Sequence, residues 1–204
     1  KNHRKKEKNF DVPVFAFHDA QEVTIPNFIK HIEACAFEGC KSIEIPEDSI
    51  LETVSYKAFC GSSIESIKFP SCLIELENGW CGGTPQLTKV QIDENNGRYL
   101  VYNDFVLEKS SKEAKNFDVI SFCARNIQKV TIPSFIKHIK SYAFNVCKQI
   151  ETIEFMPDSQ LVTIDNSAFL ASSIQNFVIP SSVTRINEYA FHYCSNLQNV
   201  EISE

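Results

Sequence analysis

Eight cysteines, five histidines and a scatter of acids are the residues of this 204-residue chain that could do chemistry. Cysteine serves as metal ligand, disulfide partner or nucleophile, and each use has its own spacing. No Cys-x-x-Cys occurs, and Cys35-x4-Cys40 has no paired His motif, so a zinc site finds no support. Asp93-Glu94 with Asp118 could form an acid/base cluster, but two nearby acids are ordinarily a solvated turn. His18 and His192 have no carboxylate partner at a recognisable spacing, and no G-x-S-x-G, P-loop or H-E-x-x-H sequence is present. The reading is of a non-enzyme, with no catalytic, cofactor-binding or metal residue and no cofactor.

These residues are positioned by a duplication. Residues 9–44 lie on 116–151 at an offset of 107, and Phe28-Ile29-Lys30-His31-Ile32 matches Phe135 to Ile139 unchanged. After a three-residue insertion the offset becomes 110 and holds from Asp48/Asp158 to Ile92/Ile202. The duplication tests the cysteines. Cys35 aligns with Tyr142, Cys60 with Leu170, Cys72 with Ser182, Cys81 with Phe191 and Cys123 with Ala16, whereas Cys40 alone aligns with a cysteine, Cys147. A disulfide of the ancestral block would recur in both copies, so the cysteines read as small core hydrophobes. His31 and His138 are equivalent but sit several coils apart, too far to share a metal or a proton.

Within each block a shorter period runs. The dipeptide Ala-Phe recurs with its Phe at 37, 59, 144, 169 and 191, and Trp80-Cys81 takes its place 22 residues after Phe59. A period of 20–25 residues fits leucine-rich repeats and is too short for a helical-pair repeat or a propeller blade. Each unit starts with an alternating, β-branched segment such as Lys129-Val130-Thr131-Ile132, which reads as a half-buried strand. Proline closes that strand at Pro26, Pro46, Pro70, Pro133 and Pro180. Apolar pairs three apart follow, from Ile29/Ile32 to Val183/Ile186, and mark a second short extended piece before Ala-Phe drops into the coil on a tight or 3₁₀-like turn. One unit buries nothing alone, but stacked units share a core and a parallel ladder.

The expected fold is therefore a right-handed, curved leucine-rich-repeat solenoid over 1–204, of short parallel strands with short helical or 3₁₀ turns. Its first repeat block spans 20–93, a β-hairpin insertion 94–128 and a second repeat block 129–204. In the insertion, Tyr99 to Tyr102 and Phe105 to Glu108 flank a turn at Asn103-Asp104, and Phe117 to Cys123 returns as a strand. Residues 9–25 resemble the returning half of an equivalent insertion, and the chain is read as a fragment of something longer.

The pattern apolar-x-Ile-Pro-Ser-Ser-Val-x-x-Ile-x-x-x-Ala-Phe-x-x-Cys-x-x-Leu is nearly complete in Ile179 to Leu197. It resembles the BspA-like class of leucine-rich repeats, found on surfaces of bacteria and some parasitic protists. The resemblance covers about residues 20–93 and 127–204, and Trp80-Cys81, Ser62 and Ser172 depart from it. It implies a surface-displayed or secreted adhesin or antigen that binds host extracellular-matrix or host-surface proteins.

Residue composition bounds the partners. With 43% hydrophobic residues the chain is not wholly disordered, and a net charge of −6 without a basic stripe excludes a nucleic-acid partner. The basic cluster Lys1 to Lys8 reads as a solvated loop, and no apolar run is long enough for a membrane helix. The outward row of the ladder, Thr24, Glu44, Lys68, Gln91, Thr131, Glu154, Val178 and Glu201, is the candidate protein-binding face. Tyr99, Tyr102 and Phe105 of the insertion form a rival aromatic patch. Uncapped ladder ends offer a route to a homodimer. The alternative is a cytoplasmic protein–protein scaffold on the same solenoid, favoured by the unpaired thiols and by the lack of any N-x-[ST] sequon among 15 Asn.

Overall fold

The computed structural model describes residues 20–203. The N-terminal readings that rest on residues before Ala20, including His18 and the basic cluster, lie outside the described residues. Alternation of β-branched and polar residues produces eight longer strands: β1 (Glu22–Thr24), β3 (Ser42–Glu44), β5 (Ser66–Phe69), β7 (Lys89–Ile92), β11 (Lys129–Ile132), β13 (Thr152–Phe155), β15 (Asn176–Ile179) and β17 (Asn199–Ile202). The apolar pairs three apart end on six two-residue strands: β2 (His31–Ile32), β4 (Thr53–Val54), β6 (Glu75–Leu76), β12 (His138–Ile139), β14 (Thr163–Ile164) and β16 (Arg185–Ile186). The insertion supplies β8 (Tyr99–Tyr102), β9 (Phe105–Lys109) and β10 (Phe117–Cys123). Among the described residues, all pairings between coils are parallel and only the β8–β9–β10 meander is antiparallel. The result is a parallel solenoid.

The expected helical turns are corrected: no helix occurs among the described residues. Each Ala-Phe segment is instead a run of tight turns, in which Ala36 N–H donates to Glu33 C=O and Cys40 N–H to Phe37 C=O. The intervening amides, Phe37 and Gly39, donate to Ala58 and Cys60 of the next coil. Alternate amides thus leave the coil, so no helical run of bonds can propagate. The third residue of the first turn takes a left-handed conformation at Cys35, Lys57, Gly79, Tyr142, Ser167 and Tyr189, as a type II turn demands.

Only one of those six positions is glycine, and its surroundings explain why. A Cβ on Gly79 would lie 2.8 Å from the Tyr142 ring and 2.9 Å from the Tyr56 ring, two side chains whose hydroxyls meet at 3.1 Å. Gly79→Ala therefore adds a left-handed penalty of about 1–2 kcal/mol to the displacement of one ring. We expect a total loss of about 2–3 kcal/mol in urea unfolding. In a Tyr56→Ala, Tyr142→Ala background the same change should cost only the backbone penalty; equal costs in both backgrounds would show that the rings do not matter.

The core has two parts with the insertion as the wall between them. β9 sends Val106 into the first-block core and Phe105 and Leu107 into the second. β10 likewise sends Phe122 into the first and Ile120 and Cys123 into the second. Both strands are therefore buried on both faces, which is why they read as nearly continuous apolar runs.

Candidate functional site

The outward row exists as a set of registered neighbours. Thr24 is paired with Glu44, Lys68 with Gln91, Thr131 with Glu154 and Val178 with Glu201, and all eight side chains are exposed. Their orientation follows from the pleat: Val23, Ile67, Val90, Val130, Ile153 and Phe177 turn inward and anchor each strand in the core. Polar contacts link neighbouring rungs, with Thr24 Oγ1 donating to Glu44 at 3.2 Å and Lys129 paired with Glu154 at 2.6 Å. Lys68 reaches Glu47 at 3.1 Å. These ion pairs are solvent-exposed, so they order the face more than they stabilise it.

The ladder beneath the row is not continuous. It comes as β1-β3, β5-β7 and β11-β13-β15-β17, and β7 pairs with β5 alone. On the open side of β7 lies a cleft of about 420 Å³. Its walls include Gln91 and Ile92 on one side, the hairpin residues Val101, Asn103 and Asp104 on another, and Ala124. The cleft interrupts the row between Gln91 and Thr131. Sequence reasoning found the row but missed the cleft, because a groove made by where a hairpin lands has no local residue pattern.

The rival aromatic patch is corrected. Tyr99 and Phe105 are buried, 1% and 2% exposed, and only Tyr102 reaches the surface. Tyr99 serves the fold instead, because its hydroxyl accepts a hydrogen bond from Leu76 N–H at 2.7 Å, where β6 has no following strand. Burial pushes its phenol well above the usual tyrosine range. Buried Asn96 holds the approach to β8, donating to Pro70, Ser71 and Leu73 carbonyls and accepting from the amides of Arg98 and Tyr99. Tyr102 packs edge to face with Phe135, which is also exposed, at 6.0 Å.

The remaining chemical candidates have local partners. His31 Nδ1 meets Thr53 Oγ1 at 2.7 Å across β2 and β4. Asp93 Oδ1 accepts from Asn95 N–H and shapes a turn, whereas Asp118 is buried and pairs with Lys137 at 3.2 Å. Burial would raise the Asp118 carboxyl, but hydrogen bonds from Lys137 and Ser110 outweigh it and hold the group below the usual range. Asp93 and Asp118 thus hold separate pieces of backbone and form no acid/base pair. Among the described residues, no three His, Cys, Asp or Glu side chains gather as a metal-ligand group.

One residue that sequence reasoning passed over organises the joint between the blocks. Arg125 is 2% exposed and donates to Ala143 C=O at 2.7 Å and to Cys81 and Tyr142 carbonyls at 3.3 Å. Its guanidinium also lies 4.7 Å over the Phe122 ring and touches Cys81 Sγ at 3.3 Å and Cys147 Sγ at 3.6 Å. No carboxylate pairs with it among the described residues. Nearby, Asn145 Oδ1 accepts from Gly83 N–H at 2.8 Å, and Lys140 reaches Leu76 C=O and buried Glu108. Side chains here replace the backbone bonds that a regular coil would supply.

Known proteins share this architecture. A family model described as BspA type Leucine rich repeat region matches residues 8–111 and 115–204, in six copies. No curated protein sequence matches the chain. Among solved structures, a leucine-rich repeat protein from Eubacterium ventriosum superposes with a TM-score of 0.72 at 18% identity, over 91% of this chain and 54% of that one. A leucine rich cell surface protein from Faecalibacterium prausnitzii gives 0.59 at 20% identity, over 90% of this chain and 60% of that one. The pneumococcal vaccine antigen PcpA gives 0.72 at 19% identity, over 91% and 51%. The chain thus spans between half and three-fifths of each of these structures.

Proposed function

From the premise that this chain belongs to the BspA-type leucine-rich-repeat family, we propose that it is a surface-exposed, non-enzymatic module that binds a host or extracellular-matrix protein. The observation that carries this reading is the outward row with a cleft in its middle: eight exposed positions registered in pairs on parallel ladder segments, with about 420 Å³ of open space beside Gln91. Repeat solenoids present extended surfaces of this kind to protein partners. The cell-surface protein of Faecalibacterium prausnitzii supports the compartment. No helix among the described residues is long and apolar enough to cross a membrane.

The cytoplasmic scaffold keeps one observation in its favour: all eight cysteines are free thiols. Antibody staining of intact against permeabilised source cells separates the two compartments. Lys68→Glu, Gln91→Lys and Glu154→Lys together alter the row on both sides of the cleft without touching the core. In a plate assay against extracellular-matrix proteins, the triple variant should bind at least about tenfold more weakly, or about 1.4 kcal/mol. Unchanged binding, with loss on Tyr102→Ala, would move the site to the hairpin.

A further inference from the structure

The ladder that carries the row lacks a rung beside β7. In three coils the residue before the long strand offers its carbonyl to two amides of the next coil: Glu65 to Thr88 and Lys89, Gln128 to Glu151 and Thr152, and Gln175 to Gln198 and Asn199. Thr88 holds that position before β7, and among the described residues no amide donates to its carbonyl. Arg125 N–H takes the Leu87 carbonyl, but no strand continues from there along β7. Lys89 and Asp93 turn their amides to β5 and its flank, donating to Glu65 and Phe69 carbonyls. Because successive residues of a strand alternate, Val90 and Ile92 direct their N–H and C=O the other way, into the cleft. All five residues from Thr88 to Ile92 line it, about 16 Å of strand edge.

We propose that this edge is a strand-addition site for an extended peptide of a partner protein, which runs alongside β7 in the same direction and alternates apolar, acidic and apolar residues. The inference rests on the protein-binding reading and names the chemistry of the partner. An unpaired edge accepts an added strand through main-chain hydrogen bonds, and the side-chain positions select its sequence. That selection can be read from the second block, where the corresponding edge is filled. There β11, Lys129-Val130-Thr131-Ile132, matches β7, Lys89-Val90-Gln91-Ile92, and carries β13 as its next rung. Val130 is in register with Ile153, Thr131 with Glu154 and Ile132 with Phe155, and Lys129 reaches Glu154 at 2.6 Å. Lys89 stands where Lys129 does, and it pairs with no acid among the described residues.

The cleft suits such a strand on both of its faces. The first apolar side chain of the peptide lies beside Val90, among Phe105, Phe122 and Ala124, buried residues that line the cleft. The acidic one stands outward beside Gln91 and within reach of Lys89, as Glu154 stands beside Thr131. Val101 of the hairpin, an exposed residue, belongs to the opposite wall. Ala124 N–H donates to Asp104 C=O and ties the hairpin tip, so that wall stays in place. Asp104 is the one acid among the lining residues, and it belongs to the hairpin rather than to the β7 edge that carries Lys89.

The full chain and a dye-labelled peptide Glu-Thr-Ile-Glu-Phe-Met, the sequence of residues 151–156, test this by fluorescence anisotropy and amide exchange. The peptide should bind saturably and slow exchange at the Val90 and Ile92 amides, but not at Lys89 and Gln91, which already face β5. N-methylation at its Thr, whose amide donates to Gln128 C=O in the chain's own ladder, should weaken binding at least about tenfold. Lys in place of the peptide's second Glu should weaken binding about fivefold, and Lys89→Glu should restore that altered peptide while weakening the original. Val101→Trp, a change at an exposed position, should block both peptides. No binding, protection on another strand such as β17, or equal binding by the N-methylated peptide would overturn the proposal. Self-association of the chain that Val101→Trp abolishes would put a second copy in the cleft and overturn it too. The matrix-protein assay separates this inference from the reading beneath it. Binding weakened by the triple row variant but unaffected by Val101→Trp leaves the row and overturns the cleft. Peptide binding at β7 with no matrix protein bound leaves the cleft and overturns the host-protein reading.

Discussion

Arg125→Met should cost about 1.5–3 kcal/mol of stability, and the loss should begin at the joint. The substitution keeps most of the side-chain volume and removes every hydrogen bond. Each carbonyl loses its charge-assisted bond but keeps one neutral donor: Thr84 Oγ1 on Cys81, Asn145 N–H on Tyr142 and Cys123 N–H on Ala143. Arg125 is 2% exposed, so these charge-assisted bonds are made away from bulk water and their loss is felt. The single tryptophan is well placed to report this. Trp80 lies 5.8 Å from Phe122, the ring on which Arg125 stacks. In urea, Trp80 emission should therefore change at a lower concentration than the far-ultraviolet circular dichroism, by more than in the parent chain. Coincident transitions, displaced by less than about 0.5 kcal/mol, would mean that Arg125 does not hold the blocks together.

The joint also marks where the sequence stops being readable. Strand alternation, the proline stops and the recurrent Ala-Phe each depend on neighbours within one coil, and each produces the element its pattern implies. Val23, Ile67 and Phe177 point inward because a residue period of two leaves them no alternative. The turns are less legible, since amides that bond to the next coil rather than within their own leave no mark on composition. Trp80-Cys81 is visible as a departure from Ala-Phe, but its purpose is not. Cys81 stands where Phe191 stands in the second copy, and its short side chain makes room for the guanidinium 3.3 Å away. Trp80, one position earlier, restores the lost aromatic volume by packing against Phe59, Phe69 and Phe122. A compensation spread over residues 80, 81 and 125 has no period, and only tertiary placement relates its parts. The same holds for the row: its eight members follow from pleat and register, whereas the cleft that divides them follows from where the hairpin lands.

Phe169→Ala should be the most damaging single change in the second block, at about 3–5 kcal/mol. Its ring lies 4.8 Å from Phe144 on one side and 5.1 Å from Phe191 on the other, with Phe177 at 5.2 Å completing the cluster. Those stacking distances nearly equal the spacing of hydrogen-bonded strands, about 4.7–4.9 Å. The rings are thus set at their separation by the backbone, since Phe144 N–H donates to Ala168 C=O and Phe169 N–H to Ala190 C=O. When Phe169 is truncated, the flanking rings cannot close the gap without breaking those bonds, so the cavity persists with its full penalty. Phe169→Leu, which leaves most of the volume filled, should cost only about 1–1.5 kcal/mol. Because each coil of a solenoid supports only its neighbours, the damage should remain local. Circular dichroism should report early loss of the second block while Trp80 emission stays native, the reverse of the order expected for Arg125→Met. The same order in both variants would mean that the two blocks unfold as one unit and that the joint is no weaker than the ladders it connects.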